Sequence, residues 1–555
     1  MGKGESERQG AGRQAGRLGE AEESSGSSRP AGRVAGEDAA RTAGRGFMLI
    51  TGAKLWFMVM GAVVNVGLPI LMSPEEFGIY SVVVNAVSLL NMVVITGTIQ
   101  AVSKLCSERP RDAARIAGRA AMLQWIVGVP LGLSYIFGAD LVAGSFNDPS
   151  LGGLIRVSGG VILAYGFYAV FVGLLNGIKD FGRQAGLDAT FSTLKTALIV
   201  GAVGMGFGVS GAIWGFVIAS VVVTGMSVAV AYWALRGQRG VEEGSVVGVK
   251  EDARKLLTYL VLVMLYTFCV NGVLRVDLFL IKALVGASEA GGVEVSNRVA
   301  GVYTAMLNVS RLPYQAVIAV TFVIFPMISQ ATFEQDTAAT RAYIRGALRY
   351  SLILLGLLSA VLAGNAEAVV LALYGDRYLS GVFPLMVLSL ATVGFALFYI
   401  ATTMLTGAGR PLASVGISAL VLALTAGLNY GLLEAALSSG AVDEAGLVSA
   451  ASVATASAMI FGFGLSMGYL VWRFKAGMPL GTLWRVSLAG GAVLGFSALA
   501  PVDAGWGKVA LLGVVAGKAL LGALIFGGVL WGCREFGAED RDRLQRVLRR
   551  KKKAA

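Results

Sequence analysis

Of 555 residues, 55% are apolar and only 14% charged, with a mean hydropathy of +0.71. Soluble chains carry about 25% charged residues, so a soluble multidomain protein is excluded. The 76 glycines beside 12 prolines follow no collagen period, which excludes fibrous and low-complexity chains. What remains is an all-α, polytopic membrane protein. The absence of histidine rules out His acid–base catalysis, His zinc sites and His proton relays. Cys106, Cys269 and Cys533 show no CxxC spacing and imply no disulfide framework.

Residues 1–46 hold eight Lys/Arg and seven Asp/Glu among Gly, Ala and Ser. They lack an apolar core and read as a disordered cytoplasmic tail, not a signal peptide. Apolar runs then follow at about 47–71, 79–105, 119–138, 155–176, 187–208, 211–235, 257–284, 296–327, 347–364, 382–407, 412–434, 445–472, 482–502 and 508–533. Crossing a hydrocarbon core of about 30 Å takes roughly 20 residues, so fourteen transmembrane helices are expected. The eighth is over-long, and Pro313 beside Arg311 predicts a bend. Segment 236–256 is a cytoplasmic linker between an N-terminal six-helix lobe (47–235) and a C-terminal one (257–472). Two further helices occupy 473–533, and 534–555 is a basic cytoplasmic tail whose Arg541, Arg543, Arg546, Arg549, Arg550 and Lys551 to Lys553 suit anionic lipid.

Orientation follows from the loops. Those after even-numbered helices carry Arg109, Arg111, Arg115, Lys179, Arg183, Arg236, Arg239, Lys250, Arg254, Lys255, Arg341, Arg345, Arg410, Arg473 and Lys475. Those after odd-numbered helices carry almost none and include Glu75, Glu76, Asp443 and Glu444. The positive-inside rule puts both termini in the cytoplasm, so most of the net charge of +12 is topological and is no signal of nucleic-acid binding. A weak repeat supports two lobes: Phe167-Tyr168, Leu175-Asn176-Gly177 and Arg183 correspond to Phe398-Tyr399, Leu405-Thr406-Gly407 and Arg410. Repeated lobes with a site between them are common transporter architecture.

Charge near the bilayer centre costs about 2.5–3.5 kcal/mol on insertion scales and therefore faces a cavity or a partner. In the eighth helix Asn297, Gly301, Thr304, Asn308, Arg311 and Gln315 share one face, which fits a lumen or a buried interhelical seam. Asn271, Arg275 and Lys282 repeat the pattern in the seventh, and Lys54 and Asn65 share a face of the first. Asp277 points away from Arg275, either to pair with Arg298 or Arg311 or to act as a protonatable coupling group. The candidate cavity thus sets Lys54, Arg275, Arg298 and Arg311 against one carboxylate, which suits an anion, and arginine forks onto phosphate oxygens. Gly204-Met205-Gly206-Phe207-Gly208 lacks the strand and the Lys-Ser/Thr of a phosphate loop and reads as close helix packing. No catalytic constellation is present in the sequence, so a transporter is expected and not an enzyme.

Four motifs carry a resemblance: Pro74-Glu75-Glu76-Phe77-Gly78-Ile79-Tyr80-Ser81, Arg275-Val276-Asp277, Phe325-Pro326-Met327-Ile328-Ser329 and Tyr374-Gly375-Asp376-Arg377-Tyr378. In this order over about 44–533 the chain resembles the polysaccharide and oligosaccharide-lipid flippases (O-antigen flippase type) of the multidrug/oligosaccharidyl-lipid/polysaccharide exporter superfamily. The resemblance implies two six-helix lobes around a central cavity that opens alternately inward and outward. The implied cargo is an undecaprenyl-pyrophosphate-linked oligosaccharide, moved from the cytoplasmic to the outer leaflet for surface polysaccharide or lipopolysaccharide biosynthesis. It gives Arg275 and Arg311 the pyrophosphate, with Arg298 and Lys54 beside them; the polar faces with Asn271, Asn308, Gln315 and Asn65 are then expected to hydrogen-bond the sugar hydroxyls. It implies no cofactor, coupling to a proton or sodium gradient with Asp277 as candidate, a bacterial inner-membrane location, and a polymerase and glycosyltransferases as partners. A lipid II flippase is the first alternative, and a multidrug or cation antiporter the second.

Overall fold

The computed structural model describes residues 31–236, 250–289, 291–439, 443–501, 506–537 and 540. Residues 1–30 of the N-terminal tail, 237–249 of the linker and 541–555 of the basic tail lie outside the described residues. The described chain is helical almost throughout and contains no strand, as expected where apolar runs of about 20 residues must satisfy their own backbone polar groups within the segment.

In chain order the helices are α1 (Ala31–Leu71), α2 (Pro74–Glu108), α3 (Ala113–Leu123, carried by a π-turn into Val129–Phe137), α4 (Leu151–Gly177), α5 (Phe181–Gly204) and α6 (Gly208–Arg236). Next come α7a (Lys250–Val273), α7b (Val276–Ala287), α8a (Gly292–Ser310), α8b (Leu312–Phe333) and α9 (Thr337–Gly364). The last are α10 (Val382–Gly407), α11 (Pro411–Ser438), α12 (Glu444–Phe474), α13 (Leu480–Leu499) and α14 (Lys508–Gly532). The expected tail differs from the fold at one point: residues 31–46 are the first turns of α1, not a disordered stretch. Their alanines are strong helix formers and the last proline before them is Pro30.

Among the described residues, eleven helical segments are long and apolar enough to cross a membrane. The rods α5, α7 and α8 are not among them. The first carries Asp188 and Lys195 in its length, and the other two are each interrupted, at Leu274–Arg275 and at Arg311. The predicted bend in the eighth helix is thus a break. Pro313 lies in the first turn of α8b, where its missing N–H costs no hydrogen bond.

Within the first half α2 packs on α4, α1 on α5, and both α4 and α5 on α6. Within the second, α12 packs on α10 and α11, α7a on α11, and α9 on α10, while α13 lies against α9 and α14. The two halves meet chiefly where α2 runs along α8a. The turn Ser73-Pro74-Glu75-Glu76-Phe77-Gly78 explains that contact. Ser73 and Glu76 form a reciprocal capping box with Pro74 in the first turn, Phe77 is buried, and Gly78 lets the α8a backbone approach. The motif Tyr374–Tyr378 is a corner: Gly375 takes φ +74°, and the two buried rings pack at 5.0 Å, tilted by 41°.

Candidate functional site

The interruptions of α7 and α8 bring three of the predicted site residues together. Arg275 is the residue preceding α7b, and its Nη1 donates to the Asn271 side chain at 2.9 Å. Arg311 sits in the α8 break and its Nη2 donates to the Leu274 carbonyl at 2.8 Å. That carbonyl belongs to the broken end of α7a, where carbonyls lose their intrahelical partners, so one arginine caps the break that presents the other. In both guanidinium groups Nε is buried without a hydrogen-bond partner. Asn308 and Gln315 flank Arg311 by about one helical turn on either side and are half-buried.

Asp277, two residues beyond Arg275, is fully buried. One carboxylate oxygen accepts the Leu278 N–H at 2.8 Å, and the other accepts the Tyr303 hydroxyl at 2.5 Å, with Thr455 at 3.3 Å. Asn429 donates to Thr455 at 3.1 Å. Pairing of Asp277 with Arg298 or Arg311 is not what the structure shows: hydroxyl groups from α8a and α12 satisfy it instead.

Arg298 belongs to another place. It lies near the α1–α2 turn, donating to Glu75 at 2.9 Å and to Glu444 at the start of α12, while Ser380 also donates to Glu444. Beside it, Lys282 and Asp148 form a buried pair at 2.8 Å, with Lys282 also donating to Ser296 at 3.0 Å and to Asn297. Phe146 packs on Phe279 at 5.6 Å, and Asn147 donates to the Ala283 carbonyl at 3.1 Å. Burial alone would push the Asp148 carboxyl up, but the Lys282 ammonium and Ser150 outweigh it and hold it below the ordinary carboxylate range. Arg298–Glu75, Lys282–Asp148, Phe146–Phe279 and Asn147–Ala283 join the first half of the chain to the second, on the face opposite the chain ends, and the bonds to Glu444, Ser296 and Asn297 brace the second half around them. The polar stripe of the eighth helix therefore divides: Asn297 and Gly301 belong to this interhelical closure, and Asn308, Arg311 and Gln315 to the region of the breaks.

In the first half, Lys54 and Asn65 lie on the exposed side of α1. Sequence reasoning missed Asp188, because the fifth helix was expected to begin at 187. It begins at Phe181, which carries Asp188 two turns inward. Its carboxylate accepts the Tyr168 hydroxyl at 2.6 Å, and Lys54 is its electrostatic neighbour. Asp148, Glu75 and Glu444 were missed as partners because nothing local in sequence links them to Lys282 and Arg298. Among the described residues no group of three or more Cys, Asp or Glu is placed to hold a metal ion.

A family model described as "Polysaccharide biosynthesis protein" matches residues 68–383. No curated protein matches the chain by sequence. Among solved structures, the lipid II flippase MurJ in an inward closed conformation is similar with a TM-score of 0.65 and 15% identity, over 87% of this chain and 99% of that one. An inward-facing multidrug resistance MATE family transporter of the MOP superfamily follows, with a TM-score of 0.58 and 18% identity over 76% and 95%. A MOP superfamily transporter from Pyrococcus furiosus, reported with a binding pocket of reverse polarity, gives 0.55 and 16% over 78% and 96%. At these identities the likeness is one of fold.

Proposed function

The chain belongs to the polysaccharide biosynthesis protein family, and from that premise we propose that this multi-pass membrane transporter moves an undecaprenyl-pyrophosphate-linked oligosaccharide from the cytoplasmic to the outer leaflet. The observation that carries the reading is the pair Arg275 and Arg311. Both are anchored through one nitrogen at the breaks of α7 and α8, and both keep a buried Nε–H without an acceptor. A buried, unsatisfied donor on a charged group is costly, and a phosphate oxygen supplies both the acceptor and the countercharge. The neighbouring carboxylate, Asp277, is already engaged by Tyr303 and Leu278.

In this mechanism the arginines take the pyrophosphate, Asn271, Asn308, Gln315 and Asn65 take sugar hydroxyls, Lys54 serves the same anion from the first half, and the prenyl chain stays in lipid. Arg298 acts at the closed face, where its bonds to Glu75 and Glu444 must break for the head group to leave. Asp277 is the coupling group for a proton or sodium gradient: it is wholly buried and held by neutral donors, so a change in its charge is felt by both α8a and α12. The protein belongs in this reading to a bacterial inner membrane, both termini cytoplasmic, beside a polymerase and glycosyltransferases.

Arg275→Lys and Arg311→Lys keep the charge and lose the fork. Each is expected to cut accumulation of surface polysaccharide at least tenfold while lipid-linked saccharide builds up on the cytoplasmic face, with the melting temperature of the purified chain held. Unchanged polysaccharide in both variants overturns the assignment. The pyrophosphate of lipid II would suit the same arginines, and rescue of a strain lacking its lipid II flippase would move the substrate there.

A further inference from the structure

We propose a resident binding site for one anionic phospholipid, separate from the transport site, at the chain-end face of α9, α12 and α13. A groove of about 820 Å³ lies there, walled by Phe463, Met467, Val471, Met478, Leu480 and Leu483, with Arg345 and Lys475 at its mouth. Its lining is almost wholly apolar except for those two cations. The groove runs up α12 from the turn that joins α12 to α13, so its mouth is at the level of the head groups and its walls are at the level of the acyl chains. Trp472 and Trp484 are exposed at the same level, where tryptophan prefers the interface.

The mouth holds a concentration of unneutralised charge. Arg341 donates to the Phe474 carbonyl at 3.0 Å, which fixes it against the turn, and Arg345 reaches towards the Lys475 carbonyl at 3.5 Å. Lys475 itself stands at φ +53°, the helix-ending conformation that turns the chain and puts its side chain beside the groove. Arg473 adds a fourth cation, over the Phe474 ring. None of the four has an ion pair among the described residues. The nearest acid on α9, Asp336, is used as the N-cap that accepts the Ala339 N–H. Two cations at the mouth of an apolar slot, with Arg341 and Arg473 on the same turn, match a phosphodiester head group over acyl chains at a membrane interface. A soluble anion would leave the slot empty, and a neutral lipid would leave the cations unmatched. The occupant also has a structural consequence, since it would lie across the seam between α12, α9 and the added helix α13.

The test is native mass spectrometry of the full chain in detergent, titrated with phosphatidylglycerol and, separately, with phosphatidylcholine. One phosphatidylglycerol is expected to be retained in preference to phosphatidylcholine. Removing two cations in Arg345→Gln with Lys475→Gln should reduce that preference roughly 30-fold, at about fivefold per charge. Arg410→Gln, another exposed cation of this face, should leave it unchanged. Gly468→Leu tests the slot independently of charge: a β-carbon there meets nothing within 4 Å, so the helix is not strained, but the side chain fills the groove and should displace the lipid. The proposal is overturned by equal retention of both lipids, by an undiminished preference in the double variant or in Gly468→Leu, or by inorganic phosphate at millimolar concentration displacing the lipid.

Discussion

Gly78 of α2 and Gly301 of α8a lie backbone against backbone: a β-carbon on Gly78 would come 1.9 Å from the Asn297 carbonyl oxygen, and one on Gly301 would come 1.8 Å from that of Pro74. No rotamer change relieves such a contact, because the obstructing atoms are main chain. Overpacking of this kind costs about 1–3 kcal/mol. Gly78→Ala and Gly301→Ala should therefore spread the closed face and shift the chain towards the state open there, by a factor of about 5 to 150. Labelling of a cysteine at Ser296, which is fully buried beside the closure, should rise accordingly in a background lacking the three native cysteines. Labelling as slow as in the parent would mean that the two glycines do not set the closure.

The second tie across that face is electrostatic. Lys282 and Asp148 are both nearly inaccessible, and removing one partner of a buried pair costs about 3–5 kcal/mol, whereas replacing both can be nearly neutral. Asp148→Ala should open the closed face more than Asp148→Ala with Lys282→Met. The sign of the pH dependence follows from the lowered Asp148 pKa. A carboxyl whose folded pKa lies below its unfolded value of about 3.9 contributes its stabilisation above that value and loses it as the pH falls through the folded one. The difference in melting temperature between parent and Asp148→Ala should hence be flat from pH 5 to 8 and shrink only below about pH 4. A difference that already falls between pH 7 and 5 would rule out this account.

The helical, membrane-spanning character was legible in the sequence because lipid leaves so few alternatives: runs of about 20 apolar residues can only be helices. The face containing Asn308, Arg311 and Gln315 was legible for the same reason, as charge is too costly to place idly. What escaped was long-range pairing. Arg298 looked like one more cavity cation, yet Glu75 and Glu444 lie 223 and 146 residues away in the chain. Asp188 escaped through a boundary error of six residues. A single polar side chain in an apolar run names a site only once the depth of its helix is known.

Asp277 offers a sharper test of coupling than the arginines do. Asp277→Asn removes the charge but keeps one oxygen to accept from Leu278, while its NH2 can donate to the Tyr303 hydroxyl, which still has Thr455 to donate to, so the fold should survive and the melting temperature should stay within a few degrees. In proteoliposomes the variant should lose the stimulation of flipping by an imposed proton or sodium gradient. If stimulation is as steep as in the parent, Asp277 is a structural residue and coupling lies elsewhere.

The segment after α14 is tied down by a cluster at the outer flank of α9. Glu535 is almost fully buried and accepts from Arg349 at 2.8 Å, from Arg485 at 2.7 Å and from Thr482 at 2.7 Å, which joins α9 and α13 to the end of α14. Asp540 accepts two further bonds from Arg349, at 3.0 and 2.9 Å, and one from the Tyr350 hydroxyl at 2.6 Å. The hydrogen bonds from Arg349 pull the Asp540 carboxyl down to about 2. Its contribution is thus complete above the unfolded value of about 3.9 and disappears as the pH falls towards 2. Glu535→Ala leaves two arginines facing a void and should cost about 3 kcal/mol, read as a lower melting temperature and as protease access to the chain beyond residue 533. Asp540→Asn should cost much less and do so equally at pH 5 and pH 8. Because the cluster lies at the outer flank of α9 and not between the halves of the chain, neither variant should change Ser296→Cys labelling at the closed face. A change there would show that α13 and α14 take part in the closure after all.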